Sequence, residues 1–325
     1  MGMMKSVNIF LEKWIFLILP LLMTAGFLTG DYLNGWSDLT APLFMILTFI
    51  SSLSADWRKF TDILKRPALF LAVLIIIHLL FPFFTLKIAV PLFSNQPELM
   101  TGLVLTMVLP IGVTSIFWIS FVKGNVNLAL LIVTLDTLLS PIILPAALYS
   151  MLESNVHLDV TSLILGLLKL VLIPSVLGMV AGEWLRKHRP GSWFKTTSSF
   201  TSKICLYLIV ILNAASLYYP LQKVGNDFYK LFITIFTLMA IGYVISYVVG
   251  MFFVKDTGTR IAVSYSGGVR NYTAGVVLAM SYFTPVVALP VLIAMLLQHP
   301  LAMIFYLIFN KLSKRKDQKI HAVSH

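Results

Sequence analysis

Charge is what this sequence has least of. Only 11% of its 325 residues are Asp, Glu, Lys or Arg, while 58% are hydrophobic. Soluble domains carry about 25% charged and about 45–50% apolar residues, so a soluble globular chain is excluded. Cysteine is nearly absent. The single residue, Cys205, rules out an intrachain disulfide framework and argues against a thiolate metal site. No HExxH, GxSxG or Walker-type loop is present, and no His, Cys and carboxylate cluster has metal-ligand spacing. Neither an enzyme nor a cofactor is expected. The net charge of +11 fits basic loops at a membrane face, so no nucleic-acid partner is expected either.

Long apolar runs are what the chain does have. A helix needs about 20 apolar residues to cross a bilayer. Ten such stretches appear, at approximately 14–34, 39–57, 68–90, 100–122, 126–150, 160–184, 203–219, 231–253, 261–283 and 286–310. They run from end to end, which leaves no room for a separate soluble domain. The first is not a simple cleaved signal, because similar stretches follow it. Residues 1–325 therefore read as a single membrane domain, with 313–325 a basic cytoplasmic tail.

Basic residues fall in alternate loops. Lys5 and Lys13 precede the first span; Arg58, Lys59, Lys65 and Arg66 follow the second. Lys123 follows the fourth, and Arg186, Lys187, Arg189, Lys195 and Lys203 follow the sixth. Lys255 and Arg260 follow the eighth; Lys311, Lys314, Arg315, Lys316 and Lys319 follow the tenth. The other loops hold Asp31, Asp38, Glu98, Glu153 and Asp159, with Lys223 and Lys230 as basic exceptions. This pattern predicts a multi-pass protein of the cytoplasmic membrane with both termini cytoplasmic.

The two halves echo each other. The fourth span holds "LPIGVTS" (109–115) and the ninth "SGGVRN" (266–271), each a Gly-centred polar interruption at mid-depth. The next span carries two prolines in each case, "SPIILP" (140–145) and "TPVVALP" (284–290). The expected fold is all-α, with ten transmembrane helices in a 5+5 inverted repeat, about 10–152 and 158–312, and broken, crossing helices four and nine. Paired interruptions in two inverted halves point to a transporter binding site. The ionisable residues deep in the spans are His78, Asp136, Lys169, Arg270 and His299. Such groups usually face a cavity or pair with one another. Arg270 suits an anion, which a guanidinium grips with two parallel bonds. Its bland alternative is an ion pair with Asp136. Lys169 reads equally as a functional or a snorkelling residue, and His78 and His299 as packed histidines or proton carriers.

Taken in order, these motifs resemble the bile acid:sodium symporter family, within a superfamily that includes arsenite and auxin carriers. "LPIGVTSIFWISFVKGN" is similar to the family's Pro-Gly-Gly-x-x-Ser-Asn stretch followed by a basic residue, Gly and Asn. "SGGVRN" resembles its Glu-x-Gly-x-Gln-Asn stretch; "LLSPIILPA" and "LLQHPLAM" resemble the ends of its fifth and tenth spans. The resemblance implies two sodium ions bound at the crossings, and here this sequence departs from it. Ser115 matches the family's serine, but Ile116 stands for its asparagine, and Ala129 and Val133 for hydroxyl residues. Ser266 replaces the glutamate, Arg270 the glutamine, and Ile77 or His78 a third-span glutamine. The sodium sites read as degraded, with Arg270 in the place of an ion.

The resemblance implies an amphipathic organic anion as substrate and the lipid bilayer as surroundings. It also implies a panel of spans 1, 2, 6 and 7 rocking against a core. Expected substrate-binding residues are Thr114, Ser115, Ser266, Gly267, Gly268, Arg270 and Asn271. Transport without sodium leaves a uniporter, an exchanger or a proton-coupled carrier using Asp136 or a histidine. The alternatives are an arsenite- or auxin-type efflux permease and a transport-fold sensor or binding protein.

Overall fold

Hydrocarbon offers backbone N–H and C=O groups no water, so apolar runs of this length fold as helices. The computed structural model describes residues 2–55, 67–152, 159–188, 191–216, 218, 225 and 227–323, and among these the regular structure is helical apart from one isolated bridge. Arg58, Lys59, Lys65, Arg66, Glu153, Arg189 and Lys223, which enter the orientation argument, lie outside the described residues.

The chain opens with α1 (Gly2–Lys13), α2 (Ile15–Leu28), the short α3 (Gly30–Leu33), a 3-10 stretch (Asn34–Leu39) and α4 (Thr40–Ser52). Then come α5 (Pro67–Phe93), α6 (Pro97–Val108), α7 (Thr114–Phe121), α8 (Val126–Leu152) and α9 (Val160–His188). The rest is α10 (Ser192–Ala215), α11 (Asp227–Phe253), α12 (Thr257–Gly268), α13 (Tyr272–Tyr282) and α14 (Pro285–Val323). Among the described residues six helices, α5, α8, α9, α10, α11 and α14, contain a run long and apolar enough to cross a membrane. Two of the remaining apolar stretches are interrupted near their middles. The fourth expected span is α6 and α7, interrupted at 109–113, and the ninth is α12 and α13, interrupted at 269–271.

Two boundaries differ from the sequence expectation. The helix expected at 203–219 begins at Ser192 and stops at Ala215, so Lys195 and Lys203 lie inside it rather than in a loop. Its early turns are polar, and their partners come from α1: Lys203 Nζ donates to Asn8 Oδ1 at 2.6 Å. The last helix does not stop near 310 but continues through the basic segment to Val323.

Prolines shape two of the long helices. Pro82 and Pro174 have no N–H to give the carbonyls of His78 and Leu170. The ladder slips just before each, into π-turns at Ile76–Leu80 and Leu168–Leu172. His78 therefore stands on a locally widened turn.

Helices α2, α4, α9 and α10 pack on one another, while α5, α6, α7, α8 and α11 to α14 surround the two interruptions. Contact between α9 and α4 runs over a Gly-x-x-x-Gly pair. A side chain at Gly178 would strike the Phe49 carbonyl, and one at Gly182 the Leu53 carbonyl. Gly178→Leu is expected to push the helices apart and lower the thermal midpoint in detergent, at a cost of about 1–3 kcal/mol.

Candidate functional site

The first interruption follows from Pro110. Leu109, forced away from the helical region by the proline after it, is extended at φ −53°, ψ 146°. The second follows the Gly267–Gly268 pair, after which Val269 is extended at φ −113°, ψ 117°. The two extended pieces pair antiparallel, Ile111 opposite Arg270. The Gly112 N–H donates to the Val269 carbonyl at 3.1 Å, and the Asn271 N–H to the Pro110 carbonyl at 2.7 Å. Each break thus satisfies part of the other's backbone, at a depth where water is scarce. The approach is close enough to demand glycine: a Cβ on Gly112 would lie 2.6 Å from the Arg270 carbonyl oxygen, and one on Gly268 would enter the Tyr243 ring.

The crossing is tied at both ends. Beyond α7, Lys123 adopts the left-handed conformation at φ 57°. The Asn125 N–H then donates to the Gly258 carbonyl at 3.1 Å, and the Asn125 side-chain amide to Thr259 Oγ1 at 3.2 Å. Asn125 Oδ1 also accepts from the Leu128 N–H in the first turn of α8. At the other end, Thr284 Oγ1, between α13 and α14, donates to Glu98 Oε1 in the first turn of α6 at 2.6 Å.

Asp136 is fully buried on α8. Its Oδ2 accepts from the Ile111 N–H at 2.5 Å, and its Oδ1 contacts His78 Nε2. His78 Nδ1 lies 3.1 Å from the Val108 carbonyl oxygen. The expected alternative, Arg270 paired with Asp136, is not what forms: the deep carboxylate is committed to His78 and to the first break. Arg270 is 2% exposed, with its Cζ 5.8 Å from the centre of the Phe81 ring, within cation–π range. Its Nη1 has no hydrogen-bond partner among the described residues.

The other singled-out residues fall into two layers. Ser115, Ser266, Gly267 and Gly268 are buried, and the hydroxyls of Ser115 and Ser266 have no partner among the described residues. Thr114 and Asn271 are partly exposed, and Val113 between the layers is 46% exposed, so the crossing has an accessible side. Asn271 Oδ1 caps α13 by accepting from the Ala274 N–H at 3.1 Å. His299 is buried on α14 with its ring 6.3 Å from Trp118. Lys169 is not brought to the crossing; it is exposed on the π-turn of α9.

Sequence reasoning did not single out several residues that stand here. Gln298 Nε2 donates to Thr114 Oγ1 at 3.3 Å. The Trp118 Nε1, Ser246 hydroxyl and Tyr243 hydroxyl are buried beside the same helices without partners among the described residues. The position of Gln298 next to a mid-span histidine was a usable signal; the two aromatic polar groups gave none, since they sit among apolar neighbours.

Comparison with known proteins adds an independent line. The model of the sodium bile acid symporter family matches residues 40–224, just over half of the chain. The "Uncharacterized protein YbaS" of Bacillus subtilis (strain 168) is 32% identical over 295 residues, 91% of this chain and 96% of that one. This chain belongs to the sodium bile acid symporter family. It is accordingly a multi-pass membrane transporter. Other similar members are the "Uncharacterized sodium-dependent transporter YocS" of Bacillus subtilis (strain 168), 21% identical over 78% of each chain, and a rice protein. The latter, from Oryza sativa subsp. japonica, is the "Probable sodium/metabolite cotransporter BASS2, chloroplastic", 26% identical over 66% of this chain and 50% of its own. Within the sodium bile acid symporter family, this member carries no side-chain oxygen at Ile116, Ala129 or Val133, and a guanidinium at position 270.

Proposed function

We propose that this transporter moves small amphipathic organic anions by alternating access, and that it does so without sodium. The observation that carries the reading is Arg270: a buried guanidinium at the crossing of two broken helices, with the nearby carboxylate already bonded to His78. The N-termini of α7 and α13 both open at the crossing, and their dipoles favour negative charge there. The anion would lie on the accessible side, at Thr114 and Asn271, with Arg270 beneath them. Ser115, Ser266, Gly267 and Gly268 would shape the floor.

Sodium does not fit the residues present. It needs a shell of oxygens, usually unwound carbonyls and side chains. Here each Asp136 oxygen already bonds His78 or the Ile111 N–H, and the Val269 and Pro110 carbonyls each accept a backbone N–H from the opposite break, which leaves each carbonyl one lone pair. The buried oxygens left without partners among the described residues, the Ser115, Ser246 and Ser266 hydroxyls and Gln298 Oε1, are all uncharged, and a neighbouring guanidinium repels a cation.

The matching ends of the crossing favour the 5+5 inverted-repeat reading of one domain. The turn after α7 is tied to the start of α12, and the turn after α13 to the start of α6. Lys123, Lys255 and Arg260 lie towards the first of these ends and Glu98 at the second, which favours the basic end as cytoplasmic. Helices α2, α4, α9 and α10 correspond to the proposed moving panel.

Thermal unfolding in detergent tests the reading. An anion that binds only the folded protein raises its stability by about 2.7 kcal/mol at a hundredfold excess over Kd. Taurocholate and other amphipathic anions are expected to give the same rise in potassium as in sodium. A rise confined to sodium would overturn the sodium-free reading, and none with any anion would overturn the substrate class.

A further inference from the structure

Both ring nitrogens of His78 face acceptors. Nδ1 faces the Val108 carbonyl oxygen, which can only accept, so Nδ1 carries hydrogen. Nε2 faces Asp136 Oδ1, and that contact needs one hydrogen between the two atoms, on one or the other. Oδ2 is meanwhile filled by the Ile111 N–H. The pair therefore holds one proton more than a neutral imidazole and a carboxylate would, and as bonded it carries no net charge.

We propose that this proton is exchangeable and is the coupling ion of the carrier, so that one proton and one anion bind and cross together. The inference rests on the anion site proposed at Arg270. The chemistry is proton transfer alone: the proton between Nε2 and Oδ1 passes to water on one side of the membrane and is replaced from water on the other. No bond between heavy atoms changes.

Two physical consequences link the proton to the anion. The first is electrostatic. Without the proton the pair carries one negative charge near Arg270, which offsets the guanidinium and weakens its pull on an anion. The second is mechanical. A neutral imidazole has one N–H and cannot serve both Val108 and Asp136, so deprotonation releases α5 from the end of α6 or from α8. The proton is a latch on the first break, through the Ile111 N–H that Asp136 also holds.

The surrounding elements bring few other titratable or charged groups. The second break brings Arg270 and α13 brings Tyr272. From α12 come Tyr265, whose hydroxyl donates to the Ala302 carbonyl at 3.0 Å, and Arg260 near its start. Tyr243 is the buried tyrosine of α11 beside the crossing; α6 has only Glu98 in its first turn, and α8 adds only Tyr149 near its last turn. Because linkage is reciprocal, proton binding strengthens anion binding by the same factor that the anion strengthens proton binding, typically about 5–150-fold.

The test uses the full chain in sodium-free proteoliposomes with a pH dye inside and taurocholate outside, chosen because its sulfonate stays ionised. An inward proton gradient is expected to speed uptake about tenfold or more, with the dye reporting acidification that accompanies taurocholate. In Asp136→Asn the amide can accept from the Ile111 N–H and donate to His78 Nε2, which mimics the protonated pair. Its taurocholate affinity is expected to hold at the wild-type acidic value across roughly pH 5 to 8, with no dye signal. Wild-type uptake that ignores the gradient, or an Asp136→Asn protein that still acidifies the interior, would overturn the proposal. If wild type neither binds nor transports taurocholate at any pH, it is the anion reading that fails. The proton site is then decided without ligand, from the thermal midpoints of wild type and Asp136→Asn. Wild type is expected to fall relative to the variant as pH rises, and a constant difference would overturn the exchangeable proton.

Discussion

Arg270→Gln is expected to lose taurocholate binding by about 30–100-fold while its folded structure survives. Unit charges about 6–8 Å apart at an effective dielectric near 20 interact by about 2–3 kcal/mol, which is the source of that range. The stability side of the prediction follows from burial. Arg270 is 2% exposed, stacks only on Phe81, and leaves Nη1 without a partner among the described residues. A buried charge held so incompletely costs free energy that a neutral glutamine does not. The thermal midpoint of the ligand-free variant should therefore equal or exceed that of wild type. Loss of binding with a retained midpoint separates a functional cation from a structural one, because a structural guanidinium would take the midpoint down with it. Arg270→Lys keeps the charge and should retain much of the affinity, since the pull at this separation depends on charge. Equilibrium binding of labelled taurocholate, run beside thermal unfolding, reads both sides.

The second large effect is on stability. Asp136→Ala leaves His78 Nε2 facing an empty methyl and strips the Ile111 N–H of its acceptor. Removing one partner of a buried, hydrogen-bonded pair costs about 3–5 kcal/mol. The thermal midpoint in detergent should drop accordingly, and the yield of folded protein with it. His78→Ala should cost less, because Asp136 keeps the Ile111 N–H. Replacing both, His78→Leu with Asp136→Leu, should recover only the part due to the His78–Asp136 contact, since the Ile111 N–H and the Val108 carbonyl still lose their partners. A double variant as unstable as the sum of the singles would mean that the two side chains act independently.

The helices were legible because hydropathy alone dictates them, and the two interruptions because Pro110 and the Gly267–Gly268 pair cannot sit quietly inside a continuous helix. The "KGN" stretch at 123–125 was also readable as a motif, although its reason, a left-handed Lys123 and the tie of Asn125 to Gly258 and Thr259, needed three dimensions. The start of α10 was not legible, since its polar early turns look like a loop until Asn8 is seen to meet Lys203. Partner choice among the deep ionisable residues was the main thing the sequence hid. His78, Asp136 and Arg270 each stand about ten residues, or about 15 Å of helix, into spans expected to run in the same direction. Depth put all three at a similar level, and opposite charge made arginine with aspartate the alternative to an anion site. His78 stands on the π-turn before Pro82, and that slip of the ladder leaves no mark in hydropathy.

If a fixed guanidinium does here what a sodium ion would otherwise do, transport needs no sodium. Taurocholate uptake into proteoliposomes, measured at equal pH on both sides with either sodium or potassium as the only added cation, tests it most directly. Equal initial rates in the two salts are expected for wild type, with a collapse in both for Arg270→Gln. Uptake by wild type that requires a sodium gradient would contradict it.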